Sequence, residues 1–364
     1  MTIFHSKYPN LVKPLKLGRD SKVSNRMYFS SVGFDLCDHD GRPMPEFYEV
    51  YESIMDGGCG FGFLGNASVD ASSQYTDRSQ KLISDEHALD LEPVFKAARD
   101  RGFLLSAQLQ HYGSGDATSL SEAQIESYIN HFHDAAKLAL KVGAPALQIH
   151  AANGYLLSSF LSPKLNRRVD RWGGTPMNRA RILLEVIRRV KQTVQDEMII
   201  FIRLQIDDGY AEHGLQVEQL DEVIVAIEEA GADAVTCANG VAETFGKFLN
   251  DADYTLEVCR HAGRFLKQRT AMPIGFSANI SSLSVAEEII ASGDADFVGF
   301  GRPIIADHQF VNKALSGQLE NINHCRWDSF CLRDKKEPLA DRVFCCVNPS
   351  YLRPQHIQDK YQEK

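Results

Sequence analysis

Eight short apolar runs alternate with helical stretches along the whole chain, and this alternation constrains the fold more than any other feature. Repeated strand and helix units with right-handed crossovers predict parallel strands closed into a (β/α)8 TIM barrel, a single α/β domain. The predicted strands are Met27–Gly33, Phe61–Asn66, Leu104–Gln110, Ala146–His150, Ile199–Leu204, Ala234–Cys237, Pro273–Ser277 and Asp296–Gly301.

Amphipathic spacing of apolar residues predicts helices between these runs, among them Phe47–Gly57, Tyr128–Val142, Ala180–Asp196, Val217–Ala230 and Val285–Ser292. A doubly wound sheet would use the same alternation of strand and helix. The chain, however, has no Gly-x-Gly-x-x-Gly after the first strand and no acidic residue placed to hold a ribose. We therefore favour the barrel.

Composition excludes several classes of function. The net charge of -9 provides no basic surface, so we expect no nucleic-acid partner. No apolar run approaches the ~18–20 residues of a membrane span, and the first residues do not resemble a signal peptide. We therefore expect no membrane partner, a cytoplasmic location and reduced cysteines. Residues 1–354 are predicted to form the barrel with a cysteine-containing extension from about residue 320, and 355–364 a flexible tail.

The fourth predicted strand ends in three polar side chains, His150, Asn153 and Tyr155, with Gly154 among them. Glycine permits the sharp turn that would bring the three groups together. Active sites of such barrels lie at the carboxyl ends of the strands. A satisfied polar cluster without chemistry is the plainer interpretation, but three functional groups at one strand end favour a catalytic site.

Two more strands carry polar groups inside otherwise apolar runs. Gln108 is a buried amide that either bonds to backbone or pairs with the amide edge of a planar heterocycle. Arg203 must have an anionic partner, which is either a neighbouring carboxylate or a cofactor that gains negative charge during turnover.

The last two strands provide a candidate phosphate site. Small residues around Ala278, Asn279 and Gly301 let backbone N–H groups approach a phosphate, and Arg302 adds a charged forked donor. Loops after strands seven and eight are the recurrent phosphate position of this barrel. A planar cofactor with a phosphate tail is therefore expected, and flavin mononucleotide (FMN) fits every requirement.

These residues lie in motifs that resemble the old yellow enzyme family of FMN-dependent ene-reductases over nearly the whole chain. The matching stretches are Gln148-Ile-His150-Ala-Ala-Asn153-Gly-Tyr155, Leu161-Ser-Pro163, Asn166-Arg-Arg-Val-Asp170-Arg-Trp-Gly-Gly174, Asn178-Arg179, Gln108-Leu-Gln-His111-Tyr-Gly113, Arg203 and Gly299-Phe-Gly301-Arg302-Pro303.

The resemblance implies an NAD(P)H-dependent reductase of electron-poor alkenes such as enones and nitroalkenes. His150 and Asn153 would hydrogen-bond the activating oxygen, flavin N5 would deliver hydride, and Tyr155 would supply the proton. It also implies a cofactor-binding set comprising Ser31, Val32, Gly33, Asn66, Gln108, His150, Arg203, Ala278, Asn279, Gly301 and Arg302.

The first two strands depart from the family pattern. Ser31 and Val32 replace the usual Pro and Met or Leu, and Gly33 replaces a Thr, Ser or Cys that touches the flavin. In the second strand, Gly65-Asn66-Ala67 stands where the family commonly has Glu-Ala or Glu-Gly. Asn66 should lie near the flavin carbonyls. Alternatives are therefore an amine- or quinone-directed flavin oxidoreductase of the same fold, or a catalytically weak FMN-binding protein. A homo-oligomer is possible, and NADH and NADPH are not distinguished.

Four cysteines crowd near the end of the chain: Cys325, Cys331, Cys345 and Cys346. Thiolates at short spacing can hold zinc or an iron–sulfur cluster. Long members of the resembled family carry a cluster here, with the pattern Cys-x2-Cys-x3-Cys followed by a Cys before Val-Asn-Pro. Asp328 stands at the second of these positions, and the gap is one residue short. We therefore expect neither a cluster nor another metal.

Overall fold

The computed structural model describes residues 7–19, 21–113, 116–333 and 340–362. All eight predicted strands form and close into one parallel barrel, in which the last strand pairs with the first. Two short antiparallel strands, β1 (Leu15–Leu17) and β2 (Ser21–Val23), precede the barrel. The barrel strands are β3 (Met27–Phe29), β4 (Phe61–Ser68), β5 (Leu104–Gln110), β6 (Ala146–Ala151), β7 (Ile199–Asp207), β8 (Ala234–Asn239), β9 (Ile274–Phe276) and β10 (Phe297–Phe300).

Helices follow the strands and cover the outside of the barrel. They are α1 (Pro45–Met55), α2 (Asp85–Asp100), α3 (Glu122–Lys141), α4 (Leu156–Leu161), α5 (Pro176–Val194), α6 (Asp221–Glu229), α7 (Phe245–Asn250), α8 (Ala252–Lys267), α9 (Leu283–Ala291), α10 (Arg302–Ala306), α11 (Phe310–Leu315), α12 (Phe330–Arg333) and α13 (Gln355–Gln362). Short 3-10 turns form at Ala211–His213, Val217–Leu220, Leu319–Asn321 and Pro349–Tyr351. No helix in the described ranges is long and apolar enough to cross a membrane.

Several predicted boundaries differ from the structure, and two of these differences have a local cause. Helix α3 begins before Tyr128 because Ser121 and Gln124 form a reciprocal capping box at its start. Strand β3 ends at Phe29 rather than Gly33, because the ladder with β10 stops after the Ser30 N–H bond to Phe300. Ser31, Val32 and Gly33, which follow this shorter strand, lie at the open end of the barrel.

The amino-terminal end of the barrel is filled by apolar side chains. Leu15, Leu17 and Val23 from β1 and β2 pack there against inward-facing aromatics of the barrel strands. The ring centres of Phe63 and Phe201 lie 5.0 Å apart in an edge-to-face arrangement. With this end closed, space for a ligand remains at the carboxyl ends of the strands.

The cysteine-containing extension packs on the outside of the barrel. The Val343 N–H donates to the Phe34 carbonyl, and the Tyr351 hydroxyl donates to the Ile305 carbonyl at 2.6 Å. The segment predicted as a flexible tail forms α13 as far as Gln362, with Ile357 buried. Residues 363 and 364 lie outside the described part, and the domain division stays a prediction.

Candidate active site

Two adjoining cavities open at the carboxyl ends of the strands. The larger encloses about 1590 Å³ counting its open mouth, and the smaller about 860 Å³. Both are lined by Val32, Asn153 and Arg203, so they form one continuous site. The larger cavity gathers these candidate residues: Ser31, Val32, Gly33, Asn66, Gln108, His150, Asn153, Tyr155 and Arg203. The smaller adds Asn279, Gly301 and Arg302.

The turn after β6 brings the three predicted catalytic side chains together. Asn153 and Gly154 have φ values of 61° and 81°, two successive left-handed residues that reverse the backbone. A Cβ on Gly154 would also meet Val241 at 3.2 Å. The turn places the Tyr155 ring 4.7 Å from the His150 ring, centre to centre.

His150 is a neutral hydrogen-bond donor in this site. Burial, helped by the positive charge of Arg203, lowers the pKa of His150 well below its usual value. The Ala152 N–H donates to Nδ1 at 3.3 Å. A neutral imidazole that accepts at Nδ1 carries its proton on Nε2, so His150 can donate this proton to an oxygen atom.

Tyr155 and Asn153 retain free donors beside His150. Burial raises the pKa of the Tyr155 phenol, which stays protonated at neutral pH. One amide hydrogen of Asn153 is used by the Asn239 carbonyl at 3.2 Å, which leaves the second available. Three neutral donors therefore lie at one strand end.

Arg203 lies next to His150 in the strand register and lines both cavities. Within the described ranges, its guanidinium makes no recorded hydrogen bond or ion pair. The neighbouring-carboxylate alternative raised by the sequence therefore finds no support. Burial lowers the pKa of Arg203, but a guanidinium remains charged at neutral pH. The cavity thus contains a half-buried positive charge suited to an anionic ligand.

Gln108 is bound to side chains rather than to backbone. It accepts from the Ser31 hydroxyl at 2.9 Å and donates to the Gln148 side chain at 2.5 Å. Asn66 is its register partner on β4, and no hydrogen bond of the Asn66 side chain is recorded in the described residues. Gln108 and Asn66 therefore present polar groups to the same wall of the larger cavity.

Arg302 is held at the smaller cavity by neutral partners. It donates to Ser329 Oγ at 2.9 Å and to the Asn279 side chain, and it stacks on the Trp327 ring. No ion pair with Arg302 is recorded in the described ranges, so its charge is available to a phosphate. Gly301 leaves open space where a side chain would project, with Ser30 the nearest neighbour at 3.8 Å. The Ala278 side chain instead packs in the core, so only its backbone could serve the predicted role.

Residues 114–321, more than half of the chain, match the model of the NADH:flavin oxidoreductase / NADH oxidase family. The chain belongs to this family. Its membership confirms the old yellow enzyme resemblance and the prediction of FMN as cofactor with NAD(P)H as reductant.

Relatives of different lengths share this sequence pattern. NADPH dehydrogenase of Bacillus subtilis (strain 168) is 27% identical over 81% of this chain and 91% of its own length. NADH oxidase of Thermoanaerobacter brockii is 27% identical over 94% of this chain but only 56% of its own length. The chain therefore spans little more than half of that relative.

Solved structures confirm the barrel fold. A complex of 2-naphthoyl-CoA reductase with 2-naphthoyl-CoA superposes with a TM-score of 0.86 at 24% identity, over 94% of this chain and 57% of that one. The old yellow enzyme homologue from Zymomonas mobilis gives 0.72 at 21% identity, over 85% and 93% of the two chains. At these identities the likeness extends to the fold alone.

The polar atoms of the cavity fit FMN. The uncompensated charge of Arg203 and the side chains of Gln108 and Asn66 suit the polar pyrimidine part of a flavin ring. At the other end, Arg302 and the space in front of Gly301 suit a phosphate.

The C-terminal cysteines carry the character of packed thiols. Burial raises the pKa of Cys331 to about 12. Burial and a hydrogen bond with Asp328 raise the pKa of Cys346 to about 12. Within the described ranges, no group of three or more His, Cys, Asp or Glu is placed to hold a metal ion. That this region binds no cluster stays a prediction.

Sequence reasoning missed several residues around the site. Gln148 accepts a hydrogen bond from Gln108 and donates one to Thr236, and Tyr112 packs on Tyr155 with ring centres 5.3 Å apart. Gln148 could have been found, because it is a second amide inside an apolar strand. Trp327 could not have been predicted as a site residue, because it lies in an irregular segment without periodicity.

Proposed function

We propose that this protein is an FMN-dependent oxidoreductase that uses NAD(P)H to reduce C=C bonds activated by a carbonyl or nitro group. The observation that carries the proposal is the convergence of His150, Asn153 and Tyr155 on one wall of a cavity that also contains Arg203. Family membership supports the redox chemistry and the cofactor. The chemistry supplied by FMN when bound is two-electron hydride transfer between the nicotinamide and the alkene.

Each catalytic side chain has a role that its geometry supports. The Nε2 proton of His150 and the free amide hydrogen of Asn153 would donate to the activating oxygen, which withdraws electrons from the C=C bond. Tyr155, a phenol kept neutral by burial, would give its proton to the α-carbon. Both interactions strengthen as negative charge develops, so they favour the transition state.

The cofactor-binding residues divide between the two cavities. Arg203 and Gln108 would hold the pyrimidine part of the flavin, with Ser31, Val32, Gly33 and Asn66 beside them. Arg302, Asn279 and the backbone at Gly301 and Ala278 would hold the phosphate. Arg203 would then have the anionic partner that the described residues do not provide.

Anaerobic reduction with NADH or NADPH, followed by addition of possible acceptors, tests the proposal. The purified protein should be yellow, lose its flavin absorbance with the nicotinamide, and regain it with enones or nitroalkenes. An amine- or quinone-directed enzyme would respond to those compounds and leave enones untouched. Flavin that no enone or nitroalkene reoxidises, or a protein that binds no FMN, would overturn the proposal.

A further inference from the structure

A chain of side-chain hydrogen bonds crosses the barrel interior beneath the larger cavity. The Ser31 hydroxyl donates to Gln108 Oε1, Gln108 Nε2 donates to Gln148 Oε1, and Gln148 Nε2 donates to Thr236 Oγ1. The three bonds measure 2.9, 2.5 and 2.8 Å and join β5, β6 and β8 to the residues after β3. Both amides and the threonine are buried.

The chain of bonds couples the amide of Gln108 to the amide of Gln148, so that neither amide can flip alone. If that amide flipped, its nitrogen would face the Ser31 donor and its oxygen would face the Gln148 oxygen. The Ser31 hydroxyl could turn away, but the two buried oxygens facing each other would be left without a proton between them. The two amides could turn only together, with the Thr236 hydroxyl donating to Gln148 and the Ser31 hydroxyl donating to the Leu64 carbonyl, which lies 2.8 Å away. The orientation of Gln108 is therefore coupled to two residues that do not line the cavity.

This orientation leaves Gln108 with one amide hydrogen and one oxygen lone pair free. An amide offers two hydrogens and two lone pairs, and one of each is already used within the chain of bonds. A neighbouring donor and acceptor complement an imide edge, which pairs a carbonyl oxygen with an N–H. The pyrimidine part of a flavin has such an edge.

We propose that Gln148 and Thr236 are positioning residues that hold the Gln108 amide in the orientation that matches the flavin imide edge. The inference rests on the proposed function, because it takes FMN as the ligand of this cavity. Gln148 and Thr236 act through Gln108 and touch neither flavin nor substrate. They therefore set FMN affinity and flavin midpoint potential without taking part in proton transfer.

Matched variants of the FMN-loaded protein test this role. Gln148→Leu and Thr236→Val remove the polar link at similar volume, whereas Thr236→Ser keeps the hydroxyl that bonds to Gln148. We expect the first pair to raise the Kd for FMN about tenfold, the scale of one lost hydrogen bond, and to lower the midpoint potential. Thr236→Ser should stay within about threefold of the wild-type Kd, because its hydroxyl keeps the hydrogen bond.

A double-mutant cycle with Gln108→Leu separates positioning from general packing. If Gln148 acts through Gln108, then Gln148→Leu changes neither Kd nor potential further in the Gln108→Leu background. Additive effects, or an unchanged potential in Gln148→Leu and Thr236→Val, would overturn the inference. Should Gln148→Leu fail to fold, the near-isosteric Thr236→Val carries the test. A wild-type protein without flavin would instead refute the proposed function itself.

Discussion

The guanidinium carbon of Arg302 lies 4.4 Å from the centre of the Trp327 ring. This stack joins the start of α10 to the irregular segment before α12. A hydrogen bond from Arg302 to Ser329 joins the same two parts of the chain. Trp327 and Ser329 have φ values of 60° and 62°, in the left-handed region that ordinary side chains disfavour. The segment therefore adopts a costly backbone conformation in which it holds Arg302 at the smaller cavity.

Loss of this stack should weaken retention of the cofactor. Because a cation–π contact contributes about 0.5–2 kcal/mol, Trp327→Ala should raise the Kd for FMN by roughly two- to thirtyfold. Trp327→Phe keeps an aromatic face and serves as the control. Fluorescence titration with FMN measures both variants, and equal affinities for Trp327→Ala and wild type would contradict the role given to Arg302.

Removal of the Tyr155 hydroxyl should separate the two halves of the reaction. Tyr155→Phe should slow reoxidation by an enone about 10²-fold or more, the usual scale of a lost general acid. Flavin reduction by NAD(P)H should change only a few-fold, because no proton donation from the phenol is needed there. Stopped-flow absorbance measures each step separately. Tyr112→Phe, on the ring beside Tyr155, is the control, and similar losses in both half-reactions would argue against a proton donor.

Replacement of Arg203 should move stability and cofactor affinity in opposite directions. Without FMN, the described structure gives its charge no partner, so Arg203→Met should leave the apoprotein melting temperature unchanged or higher. FMN binding should weaken at the same time. Arg179 is the matched control, because it is buried and donates to the Leu161 carbonyl, so Arg179→Met should lower the melting temperature. A large loss of apoprotein stability in Arg203→Met would show that a partner had been overlooked.

Three buried histidines, His111, His308 and His150, should make stability depend on pH. Burial lowers the pKa of both His111 and His308 to about 4, from a usual value of 6.5. The unfolded chain therefore takes up protons first as the pH falls. Stability should be complete above about pH 6.5 and decline towards pH 4, by at most roughly 3 kcal/mol for each histidine.

Urea unfolding at pH 7.5 and pH 5 measures this decline. His111→Gln with His308→Gln should weaken the pH dependence and leave the part contributed by His150, whereas His213→Gln, at an exposed position, should leave it as in the wild type. The comparison uses the difference between the two pH values, so a uniform loss from broken contacts does not affect it. Equal pH dependence in the double variant and the wild type would refute the assignment.

Iron analysis should find no stoichiometric iron in the purified protein. Asp328 occupies the second cysteine position of the resembled cluster motif and bonds to Cys346, whose pKa is raised to about 12 by burial and by this bond. Anaerobic purification and a visible spectrum supply the measurement, with the flavin bands as internal reference. Four iron atoms per chain, with broad visible absorbance, would reverse this prediction.

The barrel and most of the candidate site could be predicted from the sequence. Short apolar runs at regular spacing, separated by amphipathic stretches, were enough to predict all eight barrel strands. In a parallel barrel the carboxyl ends of all strands meet at one mouth. Residues as distant in the chain as Gln108, His150 and Arg203 could therefore be assigned to one site.

The contacts of the side chains in the candidate site could be read only from the folded chain. The lack of a described partner for Arg203, the Nδ1 acceptor of His150 and the link from Gln148 to Gln108 depend on neighbours contributed by other strands. The stack of Trp327 on Arg302 depends on an irregular segment, whose path follows packing on the barrel rather than any periodic pattern. Local sequence specifies which face of a strand a side chain occupies, whereas its charge state and hydrogen-bond direction are set by atoms that only the folded chain brings near.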